Sequence, residues 1–315
     1  MPPVRRSRLG WRDRVWSLSL ATAVSSAAFV TACAPARPMP ISSPAPIAVG
    51  APIPVPEKPV PVDPLAEPWL VGVPTASIAH ELVVTTAVRA AETADALTSA
   101  RADSSRTIMT VRWDSVGLTS ARSGAVLSVQ VGIPTPDGPS GVPVGLSLPV
   151  PLALAFDAAR ASVRITAPGV SGCGVDAAVA QMAREVLLAP PSRLVRGTSW
   201  IDSLRTTICR DSIPLTLTST RRYVVEDARI HDGRAVAVIR RRSTTTLSGT
   251  GSQFGEPVTI TGEGQGELLF GLRLDDGQMT HGNGVSTLTL SLTGRRKSQV
   301  VTQNARLEIR LKAGS

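Results

Sequence analysis

Few residues in this 315-residue chain have the type and spacing to do chemistry, and they are scattered. The three histidines, His80, His231 and His281, stand apart from one another. His80-Glu81 lacks the second histidine, four residues on, that a zinc-protease helix needs. Each histidine reads as a surface or turn residue. Gly169-Val170-Ser171-Gly172-Cys173 approaches a nucleophile elbow, but it carries Cys where the last Gly belongs and no strand clearly precedes it. His281-Gly282-Asn283-Gly284 has the composition of an oxyanion loop, and a turn after an Asp275 hairpin explains it more simply. Gly249-Thr250-Gly251 and Gly262–Gly266 lack a following Gly-Lys-Ser/Thr, so they form no phosphate loop and read as loop tips or bulges. No spacing singles out a carboxylate pair. The expectation is a protein with no metal, no cofactor and no enzymatic activity. A hydrolase, with a nucleophile such as Ser171 brought to a histidine by the fold, is the rival reading.

Charge says more. The net balance is +9, yet only ten residues are aromatic, too few for a surface that binds single-stranded nucleic acid by base stacking. No nucleic-acid partner is expected. Residues 70–191 hold 8 basic and 9 acidic residues, whereas 192–315 hold 18 and 11. The densest clusters are Arg240-Arg241-Arg242 and Arg295-Arg296-Lys297. In a strand, Arg240 and Arg242 share one face and Arg241 takes the other. Arginine forks suit phosphate, so these six residues are candidate contacts to anionic lipid headgroups or envelope polymers. The competing reading is a solvated strand face that discourages edge pairing.

The cysteines divide by position. Residues 1–14 carry five arginines against one acid, and Val15 to Ala32 is uncharged and rich in small and apolar residues. That order is the pattern of a secretory signal. Val30-Thr31-Ala32-Cys33 closes it and resembles the lipobox of bacterial lipoproteins. The resemblance implies a signal peptide over 1–32 and a Cys33 that is acylated and becomes the mature N-terminus. Acyl chains contribute about 0.8 kcal/mol per buried CH₂, so several of them anchor durably. Ala34, a non-Asp residue after the Cys, implies by the same resemblance an outer-membrane lipoprotein facing the periplasm. Arg5-Arg6 hints at twin-arginine export, but Arg8 stands where that signal has an aromatic residue, so the general secretory route is expected. Cys173 and Cys209 then remain, an even number in an oxidising compartment, and are expected to form a disulfide. Two free buried thiols are the other reading.

Behind these residues stand the elements that must hold them. Residues 34–69 contain 12 prolines, as many as the whole of 70–315. The run Ala51-Pro52-Ile53-Pro54-Val55-Pro56 favours extended polyproline II, so 33–69 reads as a lipidated cysteine on a disordered tether. The charge then divides as +4 in 1–32, −1 in 33–69 and +6 in 70–315.

Residues 70–315 read as one β-rich domain, with 70–191 and 192–315 as two halves that share a strand pattern. Period-two alternation runs through Leu127–Ile133, Val142–Phe156, Leu268–Leu274, Leu288–Leu292 and Val301–Leu311. Pro143, Pro149 and Pro151 place the second of these at a sheet edge or in an extended crossing. His231-Asp232-Gly233 and Asp275-Asp276-Gly277 mark hairpins. Asp176–Leu188 has apolar residues at helical spacing, with Asp176 at its start and Pro190-Pro191 beyond its end. Thr86–Ala102 reads either as a second helix or as strand then loop. The fold class is therefore mainly β (α+β): curved antiparallel sheet, half-barrel or sandwich-like, with one or two packing helices.

The layout of lipobox, proline tether, helix, a turn at Gly197-Thr198-Ser199-Trp200 and long hairpins resembles uncharacterised secreted bacterial lipoproteins. In architecture alone it also resembles LolA-like half-barrel lipoprotein carriers, in which a curved sheet wraps a helix and shelters acyl chains. That resemblance implies a non-enzymatic envelope lipoprotein that binds an apolar or amphiphilic ligand. A structural lipoprotein that docks a protein partner or the cell wall, without a cavity, is the alternative. A cavity of several hundred Å³ would separate the two.

Overall fold

The computed structural model describes residues 65–312, apart from 73–76, 101, 115–120, 136–137, 144–147, 158–161, 167–174, 189, 211–212, 254 and 296–297. The domain is mainly β, built on one large antiparallel sheet. A two-stranded ribbon of β1 (Trp69–Leu70) and β8 (Arg193–Leu194) is not part of its ladder but packs Trp69 and Leu194 into its core. The strands of the large sheet are β2 (Ile78–Ala91), β3 (Asp103–Asp114), β4 (Ala121–Thr135), β5 (Gly138–Pro143), β6 (Val150–Asp157), β7 (Ser162–Thr166), β9 (Ser199–Arg210), β10 (Ile213–His231), β11 (Arg234–Gln253), β12 (Glu256–Arg273), β13 (Met279–Gly294) and β14 (Ser298–Lys312). Their order is β7-β6-β4-β3-β2-β14-β13-β12-β11-β10-β9, with β5 paired to β4. β14 therefore returns to pair with β2 and joins the two halves of the chain into one surface.

The sheet curls without closing into a barrel. β7 and β9, the end strands, approach within 8 Å between Cα atoms but do not pair. The helix α1 (Val175–Met182), prolonged by a 3-10 turn (Ala183–Val186), fills the concave side. Its Val179, Met182, Ala183 and Val186 share one core with Met109 of β3, Val126 of β4, Tyr223 of β10, Phe270 of β12 and Ile309 of β14. Strands that are distant in the sheet can share such a cluster only if the sheet wraps the helix. Burying a Val or Met side chain fully is worth about 1.5–3 kcal/mol, so this short helix, marginal by itself, is held by packing.

Beyond the helix the long strands carry a second core. It contains Leu204 and Ile208 of β9, Leu215 and Leu217 of β10, Ile260 of β12, and Leu288 and Leu290 of β13. The alternation is plain along β10, where Ile213, Leu215, Leu217, Ser219, Arg221, Tyr223 and Val225 are all buried on the inward face. The residues between them, such as Thr218 and Arg222, face out.

Several expectations are met in detail. At the β10–β11 hairpin Asp232 and Gly233 have φ of 50° and 72°, which a two-residue turn between right-twisted strands requires. Gly277 has φ 63° in the β12–β13 connection. The 176–188 helix is real but ends earlier, in the 3-10 turn. Residues 86–102 are not a helix: β2 runs to Ala91, and a 3-10 turn (Asp95–Thr98) follows. The 142–156 segment is two strands, and Pro151 sits where β6 pairs β4 but β7 has not yet begun. That is a local edge of the sheet, the kind of position at which strands tolerate proline.

The glycine runs are corrected outright. Gly249 and Gly251 lie in β11, and Gly262, Gly264 and Gly266 lie in β12, so none is a loop tip. A Cβ on Gly262 would stand 2.4 Å from Leu290 Cδ2, and one on Gly251 2.9 Å from Ile213 Cγ1. Side chains of neighbouring strands occupy the space those Cβ atoms would need. His281–Gly284 is likewise no turn: it belongs to β13, paired with residues Leu307–Arg310 of β14.

Candidate functional site

Between the two apolar cores the inward face turns polar. Reading along β10 from Leu217 to Tyr223, the inward residues between them are Ser219 and Arg221. Along β11 from Leu247 to Ile239 they are Thr245, Ser243 and Arg241, and along β12 from Ile260 to Leu268 they are Gly262, Gly264 and Gly266. Register aligns them across the sheet, since Ser243 pairs Gly266 and Gly266 pairs Ser286.

The 3-10 turn drops two charged residues into this belt. Arg184 donates to both carboxylate oxygens of Asp202 on β9, at 2.9 and 2.7 Å. Glu185 accepts from two arginines, Arg221 at 2.5 Å and Arg241 at 2.6 Å. All five side chains are buried. Burial alone would raise the Glu185 carboxyl, but Arg221 and Arg241 overcome it and hold the group below its ordinary value. Burial, with Arg221 nearby, lowers Arg184 to about 10. Burial works against the Arg221 charge too, yet Glu185 and Tyr223 more than restore it and its pKa is raised. Tyr223 stacks on Trp200 with ring centroids 4.9 Å apart and meets Phe270 edge-on at 6.4 Å, at the border between the belt and the helix core to which all three rings belong.

Three guanidiniums face two carboxylates in this network, and the Nε of Arg241 has no hydrogen-bond partner. Arg221, Arg241, Ser243, Thr245 and Glu185 line a cavity of about 80 Å³. That falls well below the roughly 300–1,000 Å³ of a pocket for a drug-sized ligand.

The sequence-derived candidates disperse. Arg240 and Arg242 face outward, as strand geometry requires. Arg240 pairs with Glu226 and Glu267, and Arg242 Nε donates to Glu267 at 3.1 Å. Hydrogen bonds that Arg240 donates to Glu226 and Glu267 raise its pKa. Arg241 is the correction: it is buried on Glu185, so it presents nothing to an anionic surface. Arg295 is exposed after β13, while Arg296 and Lys297 lie outside the described residues. So do Cys33, Cys173 and the elbow-like Gly169–Cys173. Cys209 is half-buried on β9, opposite Pro214.

The histidines take three different settings in two places. His80 is buried against the Met279 carbonyl at 2.8 Å, which corrects its reading as a surface or turn residue. His231 and His281 face each other at 5.1 Å across neighbouring hairpins. Among the described residues no group of three His, Cys, Asp or Glu could hold a metal.

Sequence reasoning does not single out Arg184, Glu185, Asp202 or Arg221. One signal is there: Asp202 lies between inward Trp200 and Leu204, and Arg221 precedes inward Tyr223, so each breaks an apolar face.

No protein-family model matches the chain, and no curated protein matches it. Among solved structures the chain is similar to OccK2 (OpdF) of Pseudomonas aeruginosa at 7% identity, over 77% of this chain and 100% of that one, with a TM-score of 0.26. It is also similar to the outer membrane protein OprD of Pseudomonas aeruginosa at 7% identity, over 77% and 95%, with a TM-score of 0.24. Likeness at these scores carries no argument about fold or function. The residues themselves speak to polarity. A lipid-spanning barrel turns apolar residues out, whereas here Leu215, Leu217, Leu288 and Leu290 point in and Thr218, Thr246, Thr289 and Ser291 point out. Among the described residues no helix is long and apolar enough to cross a membrane.

Proposed function

We propose that this chain is a non-enzymatic lipoprotein of the cell envelope, anchored through acylated Cys33 and held off the membrane by the proline-rich tether 33–69. It works by docking a protein partner or the cell wall through its outer surface. The observation that carries this reading is the filled concave side. A helix, two apolar cores and a paired charged belt occupy the space in which a half-barrel carrier would shelter acyl chains, and the belt leaves only about 80 Å³. Exposed Arg242 and Arg295 would supply contacts to anionic envelope polymers. Outer-membrane placement facing the periplasm belongs to the same reading and rests on Ala34 after Cys33. The Cys173–Cys209 disulfide belongs to it as well, supported by Cys209 being disulfide-bonded.

Two experiments test it. Palmitate labelling in a bacterial host labels the wild-type chain and leaves Cys33→Ala unlabelled; equal labelling of both refutes the anchor. Native mass spectrometry of the chain purified from envelope yields no adduct of an uncharged apolar lipid. A reproducible adduct of that kind would instead restore the reading as a carrier of an apolar or amphiphilic ligand.

A further inference from the structure

We propose that the polar belt between the two cores is a binding site for a small oxyanion, of the phosphate or carboxylate type, held by Arg241 and Arg221 with the hydroxyls of Ser243 and Thr245. The inference is independent of the docking reading above and would survive its failure.

Four observations carry it. Among the described residues the network buries three guanidiniums against two carboxylates, one positive charge in excess. A buried surplus charge is costly unless something neutralises it, and an anion in the adjoining space does so. Arg241 spends one Nη donor on Glu185 at 2.6 Å, while its buried Nε has no partner. Arg241 also lines the adjoining cavity, and an arginine fork is suited to an oxyanion, which accepts several charge-assisted hydrogen bonds at once.

The space itself is the third observation. The cavity of about 80 Å³ is lined by both arginines, by Ser243 and Thr245, by Glu185, which the two arginines already neutralise, and by apolar residues such as Leu217 and Leu288. About 10–15 Å³ of such space holds one water, so the cavity has room for a phosphate-sized group. Fourth, the sheet opens that space with glycine: Gly264 and Gly266 face Thr245 and Ser243 in register. A Cβ on Gly266 would stand 3.0 Å from both Ser243 Oγ and Ser286 Cβ and would crowd the wall. Ser243 Oγ makes only a long bond, 3.4 Å to the Gly266 carbonyl, and can turn to a ligand.

The oxyanion has two sources, free in solution or as the headgroup of an amphiphile whose tails stay outside. Isothermal titration of the purified full chain in chloride-free buffer separates them, with sodium phosphate as one titrant and dihexanoyl phosphatidic acid below its micellar concentration as the other. Saturable one-to-one binding of either supports the site. Phosphate alone assigns the free ion, and tighter binding of the lipid, competed by phosphate, assigns the headgroup. Arg241→Gln should abolish binding. Ser243→Val, which keeps every charge and removes one hydroxyl, should weaken it about tenfold or more, as loss of a hydrogen bond to a charged group does. If Arg241→Gln does not fold, Ser243→Val decides alone. Absence of binding by both titrants, or binding unchanged by Ser243→Val, overturns the proposal.

Discussion

Arg184 grips both carboxylate oxygens of Asp202, at 2.9 and 2.7 Å, from the turn that ends the only α-helix among the described residues. Both side chains are shut away from solvent, so the pair fastens the helix to edge strand β9 in a medium where a lone charge is expensive. Asp202→Ala takes from the buried Arg184 guanidinium the carboxylate it donates to. Denaturant unfolding should show a loss of about 3–5 kcal/mol, the usual result of removing one partner from a buried pair. The double variant Arg184→Met with Asp202→Leu removes both charges and should recover most of that loss. A loss below about 1 kcal/mol for the single variant would mean that water reaches the pair.

The outward network makes the contrasting case. Arg240, Glu226, Glu267 and Arg242 are joined by as many bonds as the inner set, but water surrounds them. Arg240→Ala should therefore shift the urea midpoint far less than Asp202→Ala does, and the small shift should vanish in high salt. A salt-independent shift as large as that of Asp202→Ala would show that solvent does not screen this face.

Acid should act through Glu185. Its two arginines outweigh burial and set its folded pKa below the unfolded value of 4.5. A carboxyl with a depressed folded pKa contributes stability that is fully present above the unfolded value and is lost as pH falls through the folded one. Wild-type stability should thus fall as pH drops below 4.5. Glu185→Gln should start lower, because two buried arginines lose their anion, and should then vary less with pH over that range. Parallel wild-type and variant curves would show that another carboxyl carries the acid response.

How far the sequence foretells this depends on what signal each feature leaves. Strands announce themselves by alternation, so Leu288–Leu292 and Val301–Leu311 are readable, as are the Gly233 and Gly277 hairpins. The 176–188 helix is readable from its apolar spacing, though not its 3-10 end, because packing rather than residue type decides where the last turn tightens. The glycines of β11 and β12 mislead because glycine commonly marks loops; only neighbours such as Leu290 and Ile213, filling the missing Cβ positions, reveal their part in the strands. The charged belt is harder still. Arg241 stands out for its cluster, yet its face, and so its partner, depends on which side of the sheet the helix occupies. Nothing local encodes that Glu185 reaches Arg221 and Arg241, 36 and 56 residues away along the chain.

His80 supplies a second pH range. Burial lowers its pKa below 6.5, against the opposing bond to the Met279 carbonyl, with the Arg273 charge adding to the lowering. The native state therefore prefers the neutral ring. The unfolded chain takes up a proton as pH falls below 6.5, and stability declines from that point downward. His281, lowered by burial and by His231, adds a decline of the same sign. Equilibrium unfolding measured from about pH 8 to about pH 5, the span over which histidine titrates, should show the decline in wild type and a shallower one in His80→Gln. An unchanged slope would assign the effect to His281 alone.

The in-strand glycines give the last prediction. A Cβ at Gly249 would lie 2.3 Å from the Pro214 carbonyl oxygen and 2.7 Å from Leu215 Cδ2. The first of these is backbone, which cannot swing aside, so Gly249→Ala must push β10 away from β11 where the second core is packed. Overpacking of this kind costs about 1–3 kcal/mol. Thr250→Ala, one residue on and exposed, should stay within about 0.5 kcal/mol of wild type. Thermal unfolding of the two variants side by side separates the cost of the close strand contact at Gly249 from that of an exposed substitution on the same strand. Equal melting temperatures would mean that the strands relax around the methyl group, and the close approach at Gly249 would then be a convenience of packing rather than a requirement of the sheet.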